Sequence, residues 1–136
     1  MQYLVDGNNV MGQRVGWHRD KAAARRRLIA DLARFVRQTG DRVDVVFDGA
    51  PDDVVPDGAR VDGVGVYYAA PGSDADSRIR QLVEAAPDRG ALTVVTSDRR
   101  LADDVRRAGS QVERSGAFRR HLDALADGDS TANAPD

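Results

Sequence analysis

The stretch YLVDGNN, residues 3–9, joins a short apolar run to an aspartate, a glycine and two asparagines. Two later apolar runs also end in aspartate: VVFDG at residues 45–49 and VVTSD at residues 94–98. Short apolar runs that end at Gly, Asp or Ser are typical of strands buried in a sheet. Each of these runs therefore predicts a strand with an aspartate at or just beyond its carboxyl end.

Helical patterns alternate with the apolar runs along the rest of the chain. Strands are predicted at residues 3–5, 43–47, 64–68, 92–96 and 111–112. Strands that alternate with helices favour parallel pairing, because the helices cross over and cover the faces of the sheet. The expected fold class is α/β, with three layers and a mainly parallel central sheet flanked by helices.

Capping residues predict where the helices begin and end. A helix over residues 20–38 ends before Gly40, a second begins after Ser73 or Asp74, and a third begins after Ser97 or Asp98 and ends at Gly109. A fourth spans residues 117–126. The helices have apolar positions at the spacing of one buried face, which fits their role as the outer layers.

Composition limits the classes of function. There is no cysteine, so a thiolate nucleophile, a disulfide framework and a cysteine zinc site are excluded. No run approaches the ~20 apolar residues that a membrane span needs, and MQYLVDGNN is unlike a secretory signal. We expect a cytoplasmic protein with one domain at residues 1–126 and a disordered, polar tail at residues 127–136, which has too little apolar surface to order.

The aspartates at the strand ends suggest a metal site. Asp6, Asp48 and Asp98 each follow an apolar strand, and the carboxyl ends of parallel strands meet at one edge of a sheet. Asp76, at a helix start, joins them, although for Asp74 or Asp76 taken alone helix capping is the more ordinary explanation. Clustered carboxylates repel one another, and a hard divalent cation such as Mg²⁺ or Mn²⁺ offsets that repulsion.

With DADSRI at residues 74–79, these segments resemble the successive motifs of NYN-domain ribonucleases, a PIN-like group. The resemblance is to the YacP-like bacterial branch and covers nearly the whole predicted domain in the expected order. Arg114 and Ser115, before the last helix, also fit that branch. The resemblance implies a three-layer PIN-like, Rossmannoid fold and an NYN/PIN-like nuclease domain over residues 1–126.

The resemblance also implies roles for single residues. The catalytic set would be Asp6, Asp48, Asp76 and Asp98, of which Asp6, Asp76 and Asp98 would hold the metal. Asn9 would orient the site or the substrate, and Ser97 would contact water or phosphate. Two departures remain: an extra aspartate at Asp74 leaves the helix-start ligand open between Asp74 and Asp76, and the loop at residues 49–63 matches no pattern.

Arginines near the motifs are candidates for binding substrate. Arg14 and Trp17 follow the first motif, Arg78 lies within DADSRI, and Arg99 and Arg100 follow the last aspartate. Guanidinium groups pair well with phosphate, and we expect Arg14 and Arg78 to contact RNA. Trp17 is explained as well by packing of its loop as by stacking on a base.

The expected function is that of a divalent-metal-dependent endoribonuclease that hydrolyses RNA phosphodiester bonds in mRNA decay or RNA processing. Single-stranded RNA is the expected substrate, and the ribosome is left open as a partner. The alternative is a catalytically inactive RNA- or ribosome-binding module with the same fold. The sequence leaves the oligomeric state, the class of RNA and the number of metal ions open.

Overall fold

The structure, a computed structural model, describes residues 1–132, with side chains described through residue 126. Strands and helices alternate along it. The strands are β1 (Gln2–Asp6), β2 (Arg42–Phe47), β3 (Ala59–Val61), β4 (Val64–Tyr68), β5 (Leu92–Val95) and β6 (Gln111–Glu113). The helices are α1 (Gly7–Met11), α2 (Lys21–Thr39), α3 (Ala75–Ala85), α4 (Arg99–Arg107) and α5 (Ser115–Ala132). Short 3₁₀ turns occupy Trp17–Arg19 and Arg89–Ala91.

The six strands form one sheet in the order β3-β4-β2-β1-β5-β6. Every neighbouring pair is parallel except β3 with β4, which is antiparallel. The predicted α/β class with a mainly parallel sheet flanked by helices is confirmed. Strand β1 lies at the centre, so the first motif is placed between the ends of β2 and β5.

Alternate residues of each strand face opposite layers, as the two-residue period of a strand requires. Tyr3 and Val5 face a core shared with α1, α2 and α5, whereas Leu4 faces a second core shared with α3 and α4. The aromatic rings of Tyr3, Phe35 and Phe118 pack together in the first core, with centroids 5.4–5.5 Å apart. Helices on both faces exclude water from the sheet and hold the strand ends in fixed register.

Local signals set the helix boundaries. Asp20, Asp74 and Asp98 are the N-caps of α2, α3 and α4, and each accepts a backbone hydrogen bond in the first turn. Of the alternatives in the sequence, the aspartates rather than Ser73 and Ser97 are therefore the caps. Gly40 ends α2 at φ 74°, and Gly109 follows α4 at φ 98°, a left-handed conformation that glycine adopts without strain.

The structure adds two elements that the sequence did not predict, α1 and β3. Helix α5 continues to Ala132, so the predicted end of the last helix near residue 126 is too early. The domain boundary at residue 126 and the disordered tail at residues 127–136 stay predictions. No proline lies between Ser115 and Pro135, so the helix can continue past residue 126. The rest of the predicted tail, residues 133–136, lies outside the described residues. None of the described helices is long and apolar enough to cross a membrane.

Candidate active site

Strands β1, β2 and β5 end side by side. Val5 pairs with Val45 on one side and with Val95 on the other. Asp6 is the last residue of β1, Asp48 directly follows β2, and Asp98 follows β5 by three residues. Parallel pairing therefore brings these three aspartates to one edge of the sheet, as the sequence predicted.

Asp6 lies at the bottom of the cluster and is 5% exposed. The Thr96 hydroxyl donates a hydrogen bond of 3.0 Å to its Oδ2. Burial raises the pKa of Asp6 to about 7, with the negative charges of Asp76 and Asp48 adding to the effect and the Thr96 bond opposing it. A carboxyl group in this state is disposed to exchange its proton for a cation.

Asp76, in the first turn of α3, interacts electrostatically with the other acids of the cluster. Burial raises its pKa first, followed by the negative charge of Asp98, with Asp48 also contributing and Arg80 opposing. Since Asp76 in turn raises the pKa of Asp6, its carboxylate interacts with the other three acids.

Asp74 has a different role. Its Oδ1 accepts a 2.8 Å hydrogen bond from the Ser77 backbone N–H, and that bond is the main reason that its pKa is lowered. Asp74 is exposed and caps the helix. The geometry therefore favours Asp76 over Asp74 as the acid that faces the cluster.

Asp48 and Asp98 each use one carboxylate oxygen to fix the backbone. Oδ1 of Asp48 accepts a 2.7 Å bond from the Ala75 N–H, and Oδ1 of Asp98 accepts a 3.1 Å bond from the Leu101 N–H. The Asp48 bond holds the start of α3 and thereby positions Asp76. In both residues Oδ2 has no hydrogen-bond partner among the described residues, so it is available to a ligand.

Two asparagines of α1 tie the neighbouring strand ends together. Asn8 Oδ1 accepts a 3.0 Å bond from the Asp48 N–H. Asn9 Oδ1 accepts bonds from the Ser97 N–H, at 2.8 Å, and from the Ser115 hydroxyl. Both oxygens are engaged within the protein, and Asn9 holds the loop that carries Ser97 and Asp98. The role of Asn9 in orienting the substrate stays a prediction.

Arg14 and Arg78 lie on opposite sides of the sheet and are both held by protein groups. Arg14 pairs with Asp31 and Asp123 at 3.6 and 3.4 Å and lines a cavity of about 180 Å³ beside Trp17. Arg78 donates to the Tyr68 carbonyl at 3.2 Å and pairs with Asp57 at 3.4 Å. That either arginine contacts substrate stays a prediction.

The donor set suits a hard divalent cation, but only with partial coordination by the protein. All four acids offer oxygen, the ligand atom that Mg²⁺ and Mn²⁺ prefer. Among the side chains that the structure describes, no three acidic or imidazole groups converge as a ready metal cage. Since Mg²⁺ commonly uses one or two carboxylates and keeps several waters, the cluster fits a cation bound in that way.

The comparisons with known proteins agree with this geometry. The family model of the YacP-like NYN domain matches residues 3–133. This chain belongs to the YacP-like NYN domain family. Membership assigns the protein a nuclease-type, RNA-related function, and it confirms the resemblance on which the residue roles were based.

Solved structures place the fold in the same family. A crystal structure of Rae1 (YacP) from Bacillus subtilis superposes with a TM-score of 0.76 at 26% identity and covers 97% of this chain and 79% of its own. A mutant form of the same protein gives a TM-score of 0.77 at 25% identity, covering 93% of this chain and 77% of its own. No curated protein matches the chain.

Sequence reasoning missed Asn8 and Thr96 in this YacP-like NYN domain. Asn8 anchors the backbone at Asp48, and Thr96 is bonded to Asp6 while its oxygen also accepts from the Asp98 N–H at 3.2 Å. The doubled asparagine after Asp6 and the hydroxyl two residues before Asp98 were the available signals. Neither signal reveals its partner, because the partners of Asn8 and Thr96 lie 40 and 90 residues away along the chain.

Proposed function

We propose that this protein is a divalent-metal-dependent endoribonuclease that hydrolyses phosphodiester bonds of single-stranded RNA. Mg²⁺ or Mn²⁺ would be held among Asp6, Asp76 and Asp98, by one or two of these carboxylates directly and by the others through the cation's waters, with Asp48 as a further acidic member. The observation that carries the proposal is the buried Asp6 carboxyl group, whose pKa is raised to about 7 by burial and by the neighbouring charges of Asp76 and Asp48. Without a cation such a cluster is destabilising at neutral pH, so its arrangement calls for a ligand of opposite charge.

The chain's own residues would position the acidic side chains and orient their oxygens. Asp48 fixes the start of α3 through the Ala75 N–H, which sets the place of Asp76. Thr96 keeps Oδ2 of Asp6 oriented, and Asn9 holds the loop of Ser97 and Asp98. When bound, the cation would supply Lewis-acid activation of water and neutralise charge at the phosphate. A site braced on three strand ends can hold these groups without reorganisation during the reaction.

A second candidate is an inactive RNA- or ribosome-binding module. The observation that favours it is that no three acidic side chains of the described part converge as a metal cage. The two candidates differ in one respect that is easily measured: only the nuclease requires Asp6 and Asp98 together with a divalent cation.

The test is cleavage of an end-labelled single-stranded RNA in Mg²⁺, in Mn²⁺ and in EDTA. Wild-type protein is compared with Asp6→Asn and Asp98→Asn, and with Asp62→Asn as the matched control. Asp62 is exposed and lies at φ 48°, where asparagine is tolerated. The nuclease proposal expects metal-dependent cutting that both site variants lose and the control keeps.

Products with new internal ends would identify the activity as endonucleolytic. If the wild-type protein cuts neither free RNA nor RNA bound to ribosomes in either metal, the nuclease proposal is wrong. Binding of RNA without cutting would then support the module.

A further inference from the structure

A polar groove of about 280 Å³ lies next to the acidic cluster, on the β6 side of the sheet. Thr96 forms part of its wall, and the same Thr96 hydroxyl donates to Asp6. The groove therefore begins where the acidic cluster ends. Its lining includes Thr96, Ser97, Arg99, Arg106, Val112 and Arg114.

The groove offers hydrogen-bond donors that the protein does not use. Arg99 and Arg114 are exposed, and their guanidinium groups make no hydrogen bond or ion pair with any residue that the structure describes. Among the described residues Arg106 pairs with Asp103 alone, at 3.6 Å, and both side chains are more than half exposed. Three guanidinium groups against one carboxylate leave the groove with a net positive charge.

Ser97 adds a neutral donor at the mouth of the groove. Its Oγ accepts a 3.0 Å bond from the Ser115 N–H. The hydroxyl proton has no acceptor among the described residues, so it can be donated to a ligand oxygen. Hydroxyl and guanidinium donors together are typical contacts to the phosphate oxygens of nucleic acids.

The groove on the opposite side of the cluster has a different character. It lies along residues 49–51 and 68–73 and is mainly apolar. The nearby arginines are occupied there: Arg78 bonds Tyr68 and Asp57, and Arg25 donates to the carbonyls of Asp48 and Ala50. Of the two grooves beside the cluster, the one on the β6 side is therefore the one whose arginines are not used by the described residues.

We propose that the Arg99–Arg114 groove binds the phosphodiester backbone of the RNA strand to one side of the scissile bond. This inference rests on the proposed function, since it takes RNA as the substrate of the adjacent site. The planar guanidinium groups of Arg99 and Arg114 contact phosphate oxygens bidentately. The groove reads no base and contributes affinity without sequence preference.

The test measures RNA binding without catalysis. A fluorescein-labelled single-stranded 12-mer RNA is titrated in EDTA, by anisotropy, with wild-type protein, the Arg99→Ala/Arg114→Ala variant and an Arg26→Ala/Arg37→Ala control. The control removes the same charge from exposed positions of α2, on the other face of the sheet. We expect about tenfold weaker binding for the groove variant only. The slope of log K against log salt concentration should be shallower by ~0.7 for each phosphate contact that is lost.

Three outcomes would overturn the groove: equal affinities of the groove variant and the control, an unchanged salt dependence, or no binding of RNA by the wild-type protein. Failure of the nuclease proposal is distinguishable, because the binding assay contains no metal. A groove variant that binds as the wild type does, in a protein that cuts RNA, would refute the groove and leave the nuclease. The reverse pattern would refute the nuclease and leave the groove.

Discussion

At the scale of single residues, Asp74 and Asp76 show how one helical turn can divide two tasks between identical side chains. Asp74 precedes the helix, so its carboxylate accepts a hydrogen bond from the Ser77 N–H and remains exposed to solvent. Asp76 lies inside the first turn and faces the other acids, where burial and the charge of Asp98 raise its pKa. Position relative to the helix end, rather than chemistry, sets the difference.

The first prediction compares the two positions. Asp76→Asn should lower the rate of RNA cleavage by a factor on the order of 100 or more, because it removes an acid that interacts with all three others. Asp74→Asn should leave the rate nearly unchanged, because asparagine caps a helix as well as aspartate does. Single-turnover cleavage in Mg²⁺, with circular dichroism as the check on folding, measures both. Equal losses in the two variants would contradict the assignment.

At the scale of elements, α1 is the part that organises the site. This one-turn helix directly follows β1 and places Asn8 and Asn9 against the ends of β2 and β5. The turn requires a close approach at Gly7, where an added Cβ would lie 2.6 Å from a ring carbon of Phe47 and 2.9 Å from the Val46 carbonyl oxygen. Because this carbonyl belongs to the backbone of the buried strand β2, it cannot move aside easily.

The second prediction follows from that approach. Gly7→Ala should destabilise the protein by about 1–3 kcal/mol through overpacking, and it should lower activity further by displacing Asn8 and Asn9. Gly116→Ala, a glycine of α5 whose nearest neighbour would be at 3.4 Å, serves as the control and should cost little. Urea unfolding of the three proteins measures the free energies. A Gly7 variant as stable as the Gly116 variant would refute the packing argument.

The elements also show what the sequence could reveal and what it could not. Helix ends were predictable at Ser97 or Asp98, at Gly40 and at Gly109, because caps and left-handed glycines act through neighbours along the chain. Helix α1 is too short to show periodicity, and β3 exists through its pairing with β4 rather than through its own apolar residues. The aspartates were predictable because a parallel sheet gathers strand ends, whereas their bracing by Asn8 and Thr96 depends on contacts distant in sequence.

At the scale of the whole molecule, the small net charge of −2 conceals an uneven distribution. Four aspartates lie at the carboxyl edge of the sheet, and arginines without a partner among the described residues lie beside them in the Arg99–Arg114 groove. The repulsion within the acidic cluster acts against the folded state, because the carboxylates are farther apart in the unfolded chain. Folding stability is therefore linked to pH and to any cation that binds the cluster.

The sign of that linkage follows from Asp6, whose pKa rises from 3.8 to about 7 on folding. Between these values the folded state binds a proton that the unfolded state has lost. The contribution of Asp6 to stability is therefore most favourable below about pH 4, falls as the pH rises through this window, and stays unfavourable above about pH 7. The full shift corresponds to roughly 2–4 kcal/mol after allowance for relaxation of the buried site.

The third prediction is that, in EDTA, Asp6→Asn is more stable than the wild-type protein at pH 8 and nearly equal to it at about pH 4. Asparagine is neutral at both values, and the loss of stability caused by Asp6 in the wild type begins only above about pH 4. Added Mg²⁺ should then raise the melting temperature of the wild type at pH 8 but hardly that of the variant, since only the wild type has the buried charge to offset. A cation at 100 times its Kd would contribute about 2.7 kcal/mol. Thermal unfolding followed by circular dichroism in EDTA and in Mg²⁺, with Asp62→Asn as the control, makes the comparison. If the variant is no more stable than the wild type at pH 8 in EDTA, the buried charge of Asp6 does not destabilise the folded protein. If Mg²⁺ stabilises variant and wild type equally, the cation binds elsewhere.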